Sequence, residues 1–236
     1  MSPLAQALAL AVAASLSLPL GALLARREHI ARPALRREVH EGATAFGGGA
    51  LMAAVALVLV PQGAARLGPG AALAAFVIGG LVVFAIDRML GQRGGGLAVM
   101  VAMLLDFLPE AMALGALLAG EGGTAALLAA MIFVQNVPES YASWHGLGRA
   151  GIAPGTALAL IFGLAALGPL CALAGLALLS DMPALLGAIM LGASGGILYL
   201  LFQDIAPETR EPAHGRPALG AVLGFALGLG GDMLLT

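Results

Sequence analysis

The sequence has little charge and almost no cysteine, and both shortages narrow what the protein can be. Only 10% of its 236 residues are charged and 60% are hydrophobic, whereas about a quarter of the residues of a typical soluble domain are charged. Lysine is absent, so all eleven basic residues are arginine. The single cysteine, Cys171, excludes a disulfide framework and a thiolate metal cluster. This composition indicates a protein that resides in lipid.

Long apolar runs, separated by glycine, proline and charged residues, divide the chain into candidate membrane spans. A helix needs about 20 residues to cross about 30 Å of hydrocarbon. We interpret eight runs as spans, at residues 3–25, 43–61, 71–90, 96–119, 124–146, 154–179, 184–206 and 217–235. The connections are too short for a second folded unit. Residues 1–236 are therefore predicted to form one all-α domain, a polytopic membrane bundle of eight transmembrane helices.

The distribution of arginine predicts how this bundle is oriented. Arg26 and Arg27 follow the first span instead of preceding it, so this span is not expected to be a signal peptide. Ten of the eleven arginines, including Arg93 and Arg210, fall in alternate connections, and only Arg66 falls in the others. Because arginine concentrates on the cytoplasmic side, both termini are expected outside the cytoplasm. The expected location is the cell (inner) membrane, as a multi-pass protein.

Two similar segments, DFLPEAM and QNVPESY, place acidic residues near the middle of the fourth and fifth spans. Asp106 and Glu110 are four residues apart and so share one helix face, and Gln135 and Glu139 have the same spacing. The short GEGG connection makes the two spans a hairpin in which these faces can meet. An ionised side chain at mid-membrane costs about 2.5–3.5 kcal/mol, and no arginine lies near the middle of any span to neutralise these carboxylates.

The positive charge that these carboxylates lack must come from outside the chain, as a divalent cation or as protons. Pro109 and Pro138 add to this interpretation, because a proline has no N–H to donate to the preceding helical turn. The carbonyls of Leu105 and Val134 are thereby freed, and freed carbonyls at membrane depth are tolerated where they line a cavity. Oxygen ligands and loosened backbone at the midplane are typical of a cation site in a transporter.

The paired segments resemble the signature of the ZIP (Zrt/Irt-like) family of divalent-metal transporters. The family pattern is His-Asn-x-Pro-Glu-Gly in the fourth span and Gln/His-Asn/Asp-x-Pro-Glu-Gly in the fifth, and ASGGILYLLFQDIAPE is similar to the family's seventh span. The resemblance implies uptake of zinc, manganese, iron or cadmium ions toward the cytoplasm. It also implies two inverted three-helix repeats around spans four and five. In an elevator motion, spans one, four, five and six would move against two, three, seven and eight, and a homodimer is compatible with it.

The resemblance also implies which side chains bind the metal substrate: Asp106, Glu110, Gln135 and Glu139, with Asn136 and Asp204 as weaker candidates. Three departures from the family pattern modify this expectation. Asp106 stands where the family usually has histidine, Phe107 where it has asparagine, and Gly168 where it often has glutamate. Phe107 and Gly168 cannot ligate through their side chains, so one metal is expected instead of two. Oxygen ligands alone favour manganese or ferrous iron, although zinc and cadmium would also bind.

Other interpretations of these residues remain open. Gln135 and Asn136 are also typical of interhelical hydrogen bonding, and Asp204 could line an exit path or cap a helix end. A degenerate ZIP-like protein that senses metal, or has lost transport, is the alternative function. An intramembrane serine protease at Ser194 is rejected, because no histidine lies at mid-depth to serve as its base. We expect no enzymatic activity, no organic cofactor and no nucleic-acid partner; the expected partners are lipid and metal, with protons as a candidate coupled ion.

Overall fold

The computed structural model describes residues 3–91, 96–208 and 216–235, and these are almost entirely helical. The α-helices of the described residues are α1 (Pro3–Ser15), α2 (Ser17–Arg27), α3 (Pro33–Ala53), α4 (Val60–Ala65), α5 (Pro69–Gly91), α6 (Gly96–Leu117), α7 (Gly122–Arg149), α8 (Pro154–Ala174), α9 (Pro183–Leu200), α10 (Ala206–Glu208) and α11 (Arg216–Leu235). Short π-helical segments continue α3, α8 and α9 at Ala54–Leu59, Gly175–Leu179 and Leu201–Ile205. Arg93 and Arg210, which entered the prediction of orientation, lie outside the described residues.

Seven helical runs of the described chain are long and apolar enough to cross a membrane. This confirms the prediction of an all-helical, multi-pass membrane bundle. α7 is not among the seven, although its 28 residues would reach across a bilayer. It carries Gln135, Asn136 and Glu139 in its middle, and these polar residues lower the mean hydropathy of this helix.

The second predicted span, residues 43–61, is shorter than the helical run that contains it. That run extends from Pro33 to Ala65 and includes α3, a π-helical segment and α4. Pro33 lies in the first turn of α3, where proline is favoured because its missing N–H would have no partner there. Part of the arginine-rich connection is therefore helical, and Arg36 and Arg37 project from a continuation of the span.

The contacts divide the helices into two groups. In the first, the α6–α7 group, α6 and α7 pack with α1, α2 and α8. In the second, the α3–α9 group, α3 packs with α11 and α5 with α9, and α4, at the end of the run that begins with α3, joins the two pairs by packing on α9. Contacts of α3 with α7 and of α6 with α9 join the two groups.

Small residues allow the backbones within each group to approach closely. A Cβ added at Gly115 would lie 1.8 Å from the carbonyl oxygen of Ala172, between α6 and α8. One added at Gly224 would lie 2.0 Å from the carbonyl oxygen of Phe46, between α11 and α3. The α6–α8 pair and the α11–α3 pair therefore each depend on a glycine where the two helices touch.

The outer surface of the bundle is apolar. Long side chains such as those of Leu73 and Leu81 on α5, and of Leu223 and Met233 on α11, are exposed. Soluble proteins rarely expose apolar surface of this extent. α5 and α11 therefore present the surface that a bilayer would cover.

Candidate metal-binding site

The polar residues of α6 and α7 are buried inside the bundle. Asp106, Glu110, Gln135 and Asn136 are all at most 3% exposed, and Glu139 is half-buried. The structure thus brings together the two polar faces that the matching spacings predicted. Charged side chains are almost never fully buried unless they are paired, so the contacts among these residues decide what the site can do.

The buried side chains form two contacting pairs. Gln135 Nε2 donates a hydrogen bond of 2.6 Å to Glu110 Oε2. The carboxyl groups of Asp106 and Glu139 approach within hydrogen-bonding range of each other, and the negative charge of Asp106 acts on both Glu110 and Glu139. A hydrogen bond between two carboxyl groups requires a proton on one of them, because an ionised carboxylate only accepts. The three carboxyl groups are thus close enough for their charges to interact.

Several polar atoms of this cluster have no hydrogen-bond partner within the described chain. They are Glu110 Oε1, Gln135 Oε1, and both amide atoms of Asn136. Buried polar groups are nearly always hydrogen-bonded, and leaving one unsatisfied costs about 1–3 kcal/mol. The unpartnered oxygens are therefore available to a ligand that accepts electron pairs, such as a metal cation.

The cluster is not preassembled around a cation. Among the described residues, no group of three or more histidine, cysteine, aspartate or glutamate side chains is arranged to hold a metal ion. The reason lies in the pairing, because Glu110 turns toward Gln135 while Asp106 and Glu139 face each other. For all four to bind one cation, the amide of Gln135 must rotate so that its oxygen replaces its nitrogen.

A cavity of about 490 Å³ leads from the carboxyl pair to one end of the bundle. Asp106, Gln135 and Glu139 line its inner part, and it also reaches Asp87 near the end of α5 and Arg149 at the end of α7. Glu110 and Asn136 do not line this cavity. An ion or a proton can therefore reach the Asp106–Glu139 pair from the helix ends that carry Arg149.

On the opposite side, the same two helices are closed by apolar packing. Leu114 and Leu117 on α6 and Leu128 and Ile132 on α7 are at most 1% exposed and belong to the hydrophobic core. The site is thus accessible from one end of the bundle and sealed at the other.

Asp204 does not join the buried cluster. It lies in the π-helical segment after α9, is exposed, and lines the same cavity. Sequence reasoning also missed Thr44 of α3, a buried residue that lines the cavity and whose hydroxyl has no partner in the described chain. No motif marks Thr44, because its position depends on how α3 packs against α7.

Phe107 and Gly168, two departures from the ZIP pattern, are in contact. A Cβ added at Gly168 would lie 2.7 Å from Phe107 Cζ and 2.1 Å from Ser15 Oγ. Phe107 is 2% exposed, so its ring is fixed in this position. The aromatic ring and the serine leave no room for a side chain at position 168.

α6 and α7 continue without a break through Pro109 and Pro138. α3 approaches closely at the second proline, because a Cβ added at Gly47 would lie 2.8 Å from Pro138 Cγ. The proline of α7 thus forms part of the contact between the two helix groups.

No protein-family model matches this sequence, and a comparison with curated proteins gives no significant match.

Proposed function

We propose that the protein transports divalent metal cations toward the cytoplasm, and that Asp106, Glu110, Gln135 and Glu139 bind one cation within the membrane. The observation that carries this proposal is the set of unpartnered buried oxygens on Glu110 and Gln135, next to a carboxyl pair that an open cavity reaches. The resemblance of both segments to the ZIP signature supports the same function. Oxygen ligands suit manganese and ferrous iron, and they also bind zinc and cadmium.

The contact between Phe107 and Gly168 supports a single cation. In the ZIP pattern a second cation would use side chains at these two positions. Here an aromatic ring fills that space, so the remaining oxygens serve one ion.

In the proposed orientation α7 crosses the cell membrane as the fifth of eight spans, both termini lie outside, and the arginine-bearing helix ends face the cytoplasm. The cavity then opens to the cytoplasm, and the apolar packing of Leu114 and Ile132 closes the outer side. Transport also requires a second state in which the site is open to the outside and closed to the cytoplasm. Rigid motion of the α6–α7 group against the α3–α9 group would alternate between the two states. This division of the packing supports an elevator motion.

Protons take part in the proposed cycle. Three neighbouring carboxylates cannot all stay ionised after a divalent cation leaves, because like charges at this distance repel strongly in a dry environment. At least one proton therefore replaces the cation, and we expect the rate of uptake to depend on pH.

Binding without transport is the second candidate function, as in a degenerate ZIP-like sensor. The departures from the ZIP pattern at Asp106, Phe107 and Gly168 favour this alternative. It shares the same four ligands and differs only in whether the cation is released on the other side.

Uptake of radioactive manganese into proteoliposomes tests the proposal. The variant Glu139→Gln should reduce uptake by at least about tenfold. Residues that only orient a metal ligand contribute about 10- to 100-fold to metal affinity, and a ligand itself should contribute at least as much. Asp181→Asn, which changes an exposed carboxylate between α8 and α9, should leave uptake unchanged.

Equilibrium binding of manganese to the purified protein separates the alternatives. Saturable binding without uptake identifies a sensor, whereas the absence of binding contradicts both functions.

A further inference from the structure

A second cavity, of about 280 Å³, shares Arg149 with the first cavity, contains none of the acidic cluster, and is lined mostly by basic residues. It is lined by Pro33, Arg36, Arg37, His40, His145 and Arg149. We call it the basic pocket. Its residues come from the first turns of α3 and the last turn of α7, at the arginine-bearing end of the bundle.

The two histidine rings of the basic pocket are held in place by their surroundings. The ring centroids of His40 and His145 are 5.5 Å apart, and the ring of Tyr141 packs against both, at 5.8 Å and 5.1 Å. His145 Nε2 lies 3.4 Å from Glu28 Oε2, and the Tyr141 hydroxyl donates to the same oxygen. The pocket therefore has a defined shape on the α7 side.

Arg36 and Arg37 are more exposed to solvent than the carboxylates that they contact. Arg36 Nε is 3.2 Å from Glu28 Oε1, and Arg37 Nε is 3.8 Å from Glu41 Oε1. The two arginine side chains are 58% and 60% exposed, whereas those of Glu28 and Glu41 are 9% and 10% exposed. The residues that line the pocket include three arginines and no carboxylate, while the carboxylates of Glu28 and Glu41 are recessed behind Arg36 and Arg37, so positive charge is the more accessible.

We propose that the basic pocket binds the phosphate group of an anionic membrane lipid. Arginine matches phosphate oxygens through paired N–H donors, and basic pockets between helices at the membrane face are typical sites for anionic headgroups. The source of the phosphate follows from the apolar residues beside it. Leu35 and Val39 of α3 are 46% and 42% exposed and share one helix face. An acyl chain would cover this face while the headgroup contacts Arg36 and Arg37.

Binding of short-chain lipids to the full-length protein in detergent tests this proposal. Trp144 precedes His145 and is the chain's one tryptophan, so its fluorescence reports on the pocket. Dioctanoyl phosphatidylglycerol should bind saturably, and dioctanoyl phosphatidylcholine and inorganic phosphate should bind much more weakly. The double variant Arg36→Gln/Arg37→Gln should weaken binding of phosphatidylglycerol by at least about tenfold, since each basic residue near a headgroup contributes about 1 kcal/mol.

The matched control is Arg26→Gln/Arg27→Gln, which removes the same charge from two exposed residues outside the pocket and should leave the affinity within about twofold. Arg149→Gln, on the other helix of the pocket, should weaken binding and gives an independent test if the double variant fails to fold. Equal losses in both double variants would show a general charge effect and overturn the proposal. Equally tight binding of inorganic phosphate would show a site for the free ion and would also overturn it.

Discussion

At the scale of single residues, Gly168 allows Phe107, the neighbour of Asp106, and Ser15 to pack closely against α8. Its neighbours Phe107 and Ser15 come so close that a single methyl group cannot be added without moving one of them. Phe107 is buried, and Ser15 Oγ donates a hydrogen bond of 2.6 Å to the carbonyl oxygen of Ala11. Neither neighbour therefore moves freely. A side chain at position 168 is therefore excluded by packing.

The variant Gly168→Ala should lower the stability of the protein in detergent by about 1–3 kcal/mol, because overpacking forces side chains and backbone to shift. Thermal unfolding measures the change. Gly163→Ala on the same helix is the control, since a Cβ there meets nothing within 4 Å. It should be neutral or slightly stabilising, because alanine favours helix over glycine. Equal stability of the two variants would contradict the contact between Gly168 and Phe107.

The sequence predicted which polar residues are buried, but it could not predict their pairing. The spacing of Asp106 and Glu110, and of Gln135 and Glu139, places each pair on one helix face, and the structure buries both faces. Whether Glu110 contacts Gln135 or a cation depends on side-chain rotation within the packed bundle, and no sequence pattern reports it. Thr44 was missed because its place in the cavity depends on how α3 packs against α7.

At the scale of helices, α3 meets α7 at the second proline-containing segment. Gly47 contacts Pro138, and this contact joins the two helix groups that the proposed motion separates. The sequence predicted an all-helical membrane bundle correctly, because apolar length marks helices that can cross a membrane. The helix that contains the second predicted span begins before it, at Pro33, because the arginines of α3 continue the helix beyond the apolar segment.

The variant Gly47→Ala should slow metal uptake by at least about threefold while leaving the equilibrium affinity for manganese unchanged. The added methyl group would press on Pro138 and hinder sliding of the two groups, and interfaces packed at this density do not deform continuously. Uptake in proteoliposomes and binding in detergent are the two measurements.

The control for this variant is Gly42→Ala, which lies on the same helix and has open space at its Cβ. Uptake by Gly42→Ala should equal that of the unmodified protein. If Gly47→Ala lowered binding and uptake equally, the contact would support the site instead of the motion.

At the scale of the whole molecule, the bundle is open at one end and closed at the other. The cavity reaches Glu139 and Ser143 from the arginine-bearing end, while apolar packing closes the other. The general architecture, an all-helical membrane bundle, followed from composition and span length. The cavity did not, because its walls come from helices far apart in the sequence.

Cysteine labelling tests which side of the membrane this cavity faces. In a Cys171→Ser background, Ser143→Cys should react with a membrane-impermeant thiol reagent applied from the cytoplasmic side and should resist it from the outside. Ala113→Cys, at a core position that is 1% exposed, should resist the reagent from both sides. Reaction of Ser143→Cys from the outside alone would reverse the proposed orientation.

X-ray absorption spectroscopy of the zinc-loaded, purified protein tests the central claim most directly. The account predicts one zinc ion per chain with a first shell of oxygen at about 2.0–2.2 Å, and loss of this ion in the double variant Glu110→Gln/Glu139→Gln. Imidazole or sulfur in the first shell, or retention of the ion by the double variant, would show that the metal binds elsewhere and would contradict the account.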